Sequence, residues 1–452
     1  MALKQMDALA ALREAAGEVI ETSLCDVQGN WLALVNAEEG KRLAFAAKGE
    51  AALSALWKDV EKEADVKDVH VSVMALNANN AALVRRYVKW TAPTACGTKG
   101  ASIGFSDWLG EADAVVAELF GKRQLKPVLV DFTTEDSEAL QRYFVQAVDT
   151  ATWGVLEEGY KEGYGANAAG LKTEEEIVKA LLYGYSMIGF DCSDKIDLGI
   201  EKLSDEAVDK RFEQFNETFR AALHASYLNA EFKVGTSKIT FTENQLHRIV
   251  LEYGEAIMHI QFIYNSYLKN TPWDIDLELD LSKPGKVLTP QEHYLIGNEL
   301  QRNGIKLSSI CLDPLKDSEA VNDNLQLHCE IADTFGYRLS FKNADIAMND
   351  TAAAMKYLKG KVHFKMNNIL WMSAIELVKA LDADLFGKLC AACGCEATAD
   401  AADRALVLGY RKALNPKEES NVAADMKAFL EAHHAEYAAA IKENVAAKLK
   451  NI

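Results

Sequence analysis

Proline is scarce and glycine ordinary in this chain, 7 and 27 of 452 residues, which excludes a collagenous repeat or a low-complexity disordered chain. The eight cysteines form no short-period framework. That excludes a disulfide-dense scaffold and leads us to expect reduced thiols in a cytoplasmic protein. The densest group, Cys390, Cys393 and Cys395, lacks the fourth ligand and second pair of a zinc site, so small buried side chains are expected there. Long apolar runs are missing as well. No stretch approaches the roughly 18 uncharged apolar residues of a membrane span, and the opening MALKQMDALAALREAAGEVIE interleaves acids with apolar residues, as an amphipathic helix does and a secretory signal does not.

Positive charge is in short supply. Lys and Arg number 49 against 67 Asp and Glu, a formal net charge of −18. Phosphate backbones and anionic membranes demand a concentrated basic surface, so we expect neither as a partner. Acids in excess make a solvated, solubilising exterior, and any Lys or Arg aimed inward becomes informative. The chain also has no G-x-x-x-x-G-K-[ST] phosphate loop, no H-E-x-x-H and no G-x-S-x-G nucleophile elbow.

What remains is an ordinary globular mixture, 49% hydrophobic and 26% charged, long enough for a large core. Residues 1–95 read as a small α/β domain: a helix near 3–20, strand-like runs at 31–35, 42–46 and 69–75, and a charged helix at 50–64. From there short apolar runs alternate with helical segments. Eight strands are expected at 101–106, 126–132, 164–168, 186–192, 273–281, 305–312, 337–342 and 361–366, with helices near 108–121, 135–161, 174–184, 289–303, 317–335, 348–359 and 370–390. Strand alternating with helix eight times predicts an α/β fold, a (β/α)8 TIM-like barrel over 96–398. A helical insertion, 195–270, carries at least two long helices (FEQFNETFRAALHASYL and ENQLHRIVLEYGEAIMHIQFIYNSYL). Residues 399–452 read as closing C-terminal helices.

In such a barrel the working side chains project from the carboxyl ends of the strands. Those ends offer Asp107, Asp131, Asn167, Asp191 with Asp194, Asp280, Asp313, Lys342 with Asp345, and His363 with Lys365. Asp131, Asp194 and Asp313 are expected chiefly as caps of the following helices. Glu292, after Thr289-Pro290, is placed to cap its helix as well. Lysine is a poor cap, so Lys342 and Lys365 stand out. Each ends an apolar strand, and two such cations form either a carboxylate or phosphate clamp or a desolvated amine able to attack a carbonyl. Their structural alternative is ion pairing with acids such as Asp280 and Asp345. His363 shares a strand face with Lys365 by the period of two and is a candidate general acid/base or ligand.

Several blocks together resemble the tagaturonate epimerase family: DTATWGVLEEGYKEGYGANAAGLKT (149–173), GYSMIGFDCSD (184–194), LTPQEHYLIGNELQRNGIK (288–306), the segment from Phe335-Gly336 to Asp345, and VHFK (362–365). The resemblance implies interconversion of tagaturonate and fructuronate with a divalent metal, and a small-molecule sugar acid as partner. Matching positions are Lys172, Asp191, Glu292, His293, Asp345, His363 and Lys365. The departures fall on polar positions. Where the family reads GADADHLKT this chain has Asn167, Ala169 and Gly170. Lys342 stands at or beside a family histidine, and Trp108 follows Asp107 where the family has arginine. A hard cation wants carboxylate and imidazole ligands, so the family's metal site is expected to be altered or lost. If a metal is held at all, Asp107, Asp191, Asp280, Asp345 and His363 are the candidates.

The two sugars named by the resemblance differ one carbon beyond the position alpha to the ketone, which enolisation does not acidify. Retro-aldol cleavage, rotation and re-addition does reach it. The expected catalytic residues are therefore Lys365, His363, Lys342 and Asp191, with Asp107, Lys172, Asp280 and Asp345 binding substrate. The alternative is a non-catalytic member of the family that binds a sugar acid or scaffolds a partner.

Overall fold

The structure, a computed structural model, describes residues 2–38, 40–49, 53–121, 123, 125–282, 288–315, 324–348 and 351–452. Parts of the helices expected at 50–64, 317–335 and 348–359 lie outside the described residues. Its contacts divide the chain into two compact units. One comprises Met1–Thr94, Ser106–Ala166 and Ile369–Val445; the other comprises Ala95–Phe105, Asn167–Asn368 and Ala446–Ile452.

The first unit contains a five-stranded antiparallel sheet: β1 (Glu18–Val27), β2 (Asn30–Ala37), β3 (Gly40–Lys48), β4 (Val60–Val66) and β5 (Val69–Met74), in the order β1-β2-β3-β5-β4. One face packs on the helix Gln5–Ala16 through Ala8, Leu12, Val35, Ala44 and Val71. The other packs Leu34, Phe45, Trp57 and Met74 against Trp153 and Leu156 of the helix Phe144–Glu158. Burial on both faces explains why Leu32–Val35 is apolar without alternation. The sequence expectation needs correcting at 50–64, where the described residues form a short 3-10 turn at Ser54–Leu56 and then β4 from Val60 onward. VEKEADV is an outer strand with mostly exposed residues, and charge is what protects a sheet edge from pairing with another chain. The initial helix also stops earlier than expected, at Gly17 with φ 105°, and β1 follows.

All eight strands expected for the barrel occur: β6 (Ser102–Phe105), β7 (Lys126–Thr133), β8 (Gly165–Leu171), β9 (Met187–Asp191), then, beyond a short hairpin of β10 (Phe232–Val234) and β11 (Ser237–Ile239), β12 (Asp276–Asp280), β13 (Ser309–Leu312), β14 (Arg338–Phe341) and β15 (Val362–Met366). They close in the order β12-β13-β14-β15-β6-β7-β8-β9. β8 reads weakly because GANAAGL is poor in β-branched residues. Its register with β9 shifts between Ala168 and Leu171, and the bulge brings the chains so close that a Cβ on Gly189 would meet Ala169 Cα at 2.9 Å. Small residues are what this crowded pairing requires.

The insertion holds three helices where two were expected at minimum: Asp205–Phe212, Glu217–Tyr227 and Glu243–Ile263. The run FEQFNETFRAALHASYL is interrupted by Asn216, whose side chain accepts from the Phe219 N–H and caps a new helix. Near the C-terminus the longer helices are Ala423–Ala432 and His434–Lys448. Among the described residues no helix is long and apolar enough to cross a membrane.

Candidate active site

The site is built on β12. Its sequence Asp276-Leu-Glu278-Leu-Asp280 alternates, and a strand places alternate side chains on one face, so three carboxylates stand in a row. All three are buried and each is answered differently. Asp276 accepts from the backbone N–H groups of Cys96 (2.7 Å) and Gly97 (3.1 Å) and from Ser308 Oγ (3.0 Å). Glu278 forms an ion pair with Lys365 and accepts from Ser309 Oγ at 3.1 Å. Asp280, at the carboxyl end of the strand, forms an ion pair with Lys342 and accepts from the Ser282 N–H at 3.0 Å.

These contacts order the charges. Burial is the largest influence and would raise the Glu278 carboxyl, but the Lys365 ammonium, helped by His363 and the Ser340 hydroxyl, holds the acid below its ordinary range. Asp280 is likewise lowered by Lys342 and the Ser282 donor in spite of burial. Burial is the largest influence on the Lys342 amine and would lower it, but the attraction and hydrogen bond of Asp280, joined by Cys311 and Asp313, push it well above its usual value. It is an ammonium ion at neutral pH, not a neutral nucleophile.

His363 stands in register beside Ser102 of β6. Its Nδ1 lies 2.9 Å from Ser102 Oγ, which accepts from Arg338 Nη1 at 2.8 Å. A guanidinium only donates, so the Ser102 hydroxyl accepts from Arg338 and uses its remaining lone pair or its hydrogen at Nδ1, according to the imidazole tautomer. Burial, reinforced by the Lys365 and Arg338 charges against Glu278, pushes His363 down to about 3. The histidine is neutral. Arg338 is fully buried, and its Nε and Nη2 meet no hydrogen-bond acceptor among the described residues.

Asp191 ends β9 in register with Asp280. It accepts from the Ser193 N–H at 2.8 Å. The half-exposed Lys172 lies 3.7 Å from Asp191 and 2.9 Å from Asp194. Thus two lysine–aspartate pairs, Lys172–Asp191 and Lys342–Asp280, stand on neighbouring strand ends. Lys365, His363 and Glu278 form a second, enclosed layer. Asp345 belongs to neither: it accepts from the Asn368 N–H (2.8 Å) and Nδ2 (3.2 Å), and burial raises it to about 6. Asp107 lies in the other unit, where it accepts from the Gly110 and Ala112 N–H groups at 2.8 and 2.7 Å.

The capping expectation for Glu292 matches its contacts: it accepts from the Thr289 N–H in a reciprocal box. Asp313 accepts from the Leu315 N–H at 3.1 Å, and the start of the helix expected to follow it lies outside the described residues. Glu278, Arg338 and Ser102 were not singled out from the sequence. The available signal was the acid at every second position of WDIDLELDL, which on a barrel strand means a file of inward carboxylates.

The divalent metal that the resemblance implies does not fit these residues. Asp280 already holds an ammonium group, Asp191 and Asp345 are engaged by separate donors, and His363 turns Nδ1 to Ser102. Among the described residues, three donors close enough to share an ion meet at one place, in the helical insertion and not in the barrel.

Comparison with known proteins agrees with this architecture. A family model described as tagaturonate epimerase matches residues 20–436. A tagaturonate/fructuronate epimerase of Thermotoga maritima is 27% identical over 383 residues, 82% of this chain and 78% of that protein. Crystal structures of the fructuronate-tagaturonate epimerase of Cohnella laeviribosi superpose on the fold. A form complexed with two glycerols gives a TM-score of 0.84 at 26% identity, covering 97% of this chain and 98% of that one. The native form gives 0.83 at 25%, covering 97% and 98%.

Proposed function

The chain belongs to the tagaturonate epimerase family, and on that premise we propose that its barrel mouth takes a ketouronate and epimerises it with lysine ammonium groups where a divalent ion would otherwise supply charge. The observation that carries this reading is the Lys342–Asp280 pair at the ends of β14 and β12, whose ammonium stays protonated and partly exposed. The glycerols bound to the Cohnella relative are polyols, in keeping with a sugar-type ligand.

The chemistry is a retro-aldol exchange. A base removes the proton of the hydroxyl on the epimerising carbon. That carbon becomes an aldehyde as its bond to the neighbouring alpha carbon breaks, and the electron pair passes to the ketone oxygen as an enediolate. The aldehyde turns, the bond re-forms on its other face, and the proton returns to the new alkoxide. Nothing is oxidised or reduced. Asp191, partly exposed, is the base that takes and returns the proton. The Lys342 ammonium faces the enediolate oxygen, a fixed charge worth most where water is excluded. Lys172 pairs with the substrate carboxylate. An imine on Lys342 is disfavoured because its amine is protonated. Lys365 and His363 are too enclosed to touch substrate and act by positioning β12 and β15.

A second reading, binding without turnover, is favoured by one observation: both mouth aspartates already have cationic partners. Incubation with tagaturonate and fructuronate, with and without chelator and followed by NMR, separates the two. We expect interconversion that survives chelation and falls about 10²–10³-fold in Lys342→Met. Turnover abolished by chelator overturns the ammonium reading, and thermal stabilisation by either sugar without product establishes the second.

A further inference from the structure

The helical insertion contains a cluster that the barrel chemistry does not use. His224 from the helix Glu217–Tyr227 and His247 from the helix Glu243–Ile263 bring their Nε2 atoms to 2.9 Å. Glu243 lies one turn before His247, on the same face of that helix. The ligand atoms of His224, Glu243 and His247 all lie within 4.8 Å of one another. From the third helix, Asp205–Phe212, Asp209 Oδ1 reaches His247 Nδ1 at 2.7 Å and the Phe212 ring stacks on His247 at 3.8 Å between centroids.

The tautomers follow from the partners. A carboxylate only accepts, so Asp209 keeps the proton of neutral His247 on Nδ1 and leaves the Nε2 lone pair directed at His224. A carboxylate behind an imidazole is the outer-shell arrangement of metal-bound histidines. His224 meets that lone pair with its own Nε2–H, which it surrenders by moving its proton to Nδ1. Two imidazole nitrogens about 2.1 Å from one tetrahedral ion stand about 3.4 Å apart. The observed 2.9 Å needs only a small opening of a half-buried side chain.

We propose that His224, Glu243 and His247 form a binding site for a borderline divalent transition metal of the zinc class, with Asp209 as the positioning residue behind His247. Two imidazoles and one carboxylate suit that class better than calcium or magnesium. Three protein ligands leave a fourth position for water. The ion joins two helices directly and the third through Asp209, so it acts as a clasp on the insertion and is independent of the barrel chemistry.

The test is calorimetric titration of the metal-stripped full chain with Zn(II), with unfolding temperature read in parallel. Wild type is expected to bind one equivalent and to unfold at a higher temperature when loaded. His224→Ala and Glu243→Gln, both outside the core, should weaken binding at least tenfold and remove the thermal shift, and Asp209→Asn should weaken it about 10- to 100-fold. Asp191→Asn, in the barrel, should leave both unchanged. The proposal is overturned if wild type binds no zinc, or if His224→Ala and Glu243→Gln bind it as wild type does. His247→Ala is avoided as the sole variant because that ring is buried against Phe212.

Discussion

Two ion pairs two residues apart on β12 differ in almost everything but chemistry. Lys365–Glu278, inside the barrel, leaves its side chains 3% and 1% exposed, whereas Lys342–Asp280, at the strand end, leaves them 23% and 11% exposed. The first is sealed with Ser309, His363 and Arg338 around it, and no substrate has access to it. The second borders solvent, so an anionic substrate can compete for its ammonium. Depth along one strand separates a sealed charge pair from the solvent-bordering one to which the proposed function assigns the work.

The largest effect should come from breaking the inner pair on one side. Lys365→Met or Glu278→Gln should cost about 3–5 kcal/mol in denaturant unfolding, because the surviving charge is stranded in the interior. Replacing both by apolar residues of similar volume should restore most of that loss. A Lys365→Met protein of wild-type stability would erase the contrast. The outer pair should respond oppositely: Lys342→Met is expected to cost about 1 kcal/mol in stability while removing most epimerase activity.

Titration sharpens the same distinction. Glu278 and Asp280 have depressed folded-state values. Their contribution is therefore complete above the ordinary carboxylate range and is lost as the pH drops through the folded values. Asp345 has the reverse sign. Its folded value, about 6, exceeds the unfolded value of 3.8, so its contribution is full below about pH 4 and lost as pH rises past 6. Asp345→Asn keeps an acceptor for the Asn368 N–H and should raise stability at pH 8 by at most about 3 kcal/mol, with no gain at pH 4; equal gains at both would refute the assignment. The smallest effect belongs to the sheet surface, where Lys48→Ala, removing an exposed partner of Asp68, should leave the unfolding midpoint unchanged.

How far the sequence could be read varied with the type of signal. Seven barrel strands announced themselves as apolar runs, and even GANAAGL was placed, although its small side chains argue against strand formation. VEKEADV was misread because charges on a sheet edge resemble those of a solvated helix, and only pairing with β5 distinguishes them. Lys342 and Lys365 were singled out together, yet their different surroundings depend on which acid each meets. Arg338 passed unremarked, since one basic residue at a strand start carries no pattern.

Periodicity, caps and small residues are local properties, and they were enough to indicate the alternating architecture, while the family kinship rested on the resemblance of whole sequence blocks. Which carboxylate faces which lysine, which imidazole is neutral and how far each lies from water are set by strand register and burial across more than a hundred residues of chain, as in the contact of Ser102 with His363. Desolvation and charge pairing act only once those residues are brought together, so the character of the barrel's two charged layers was decided by the tertiary structure.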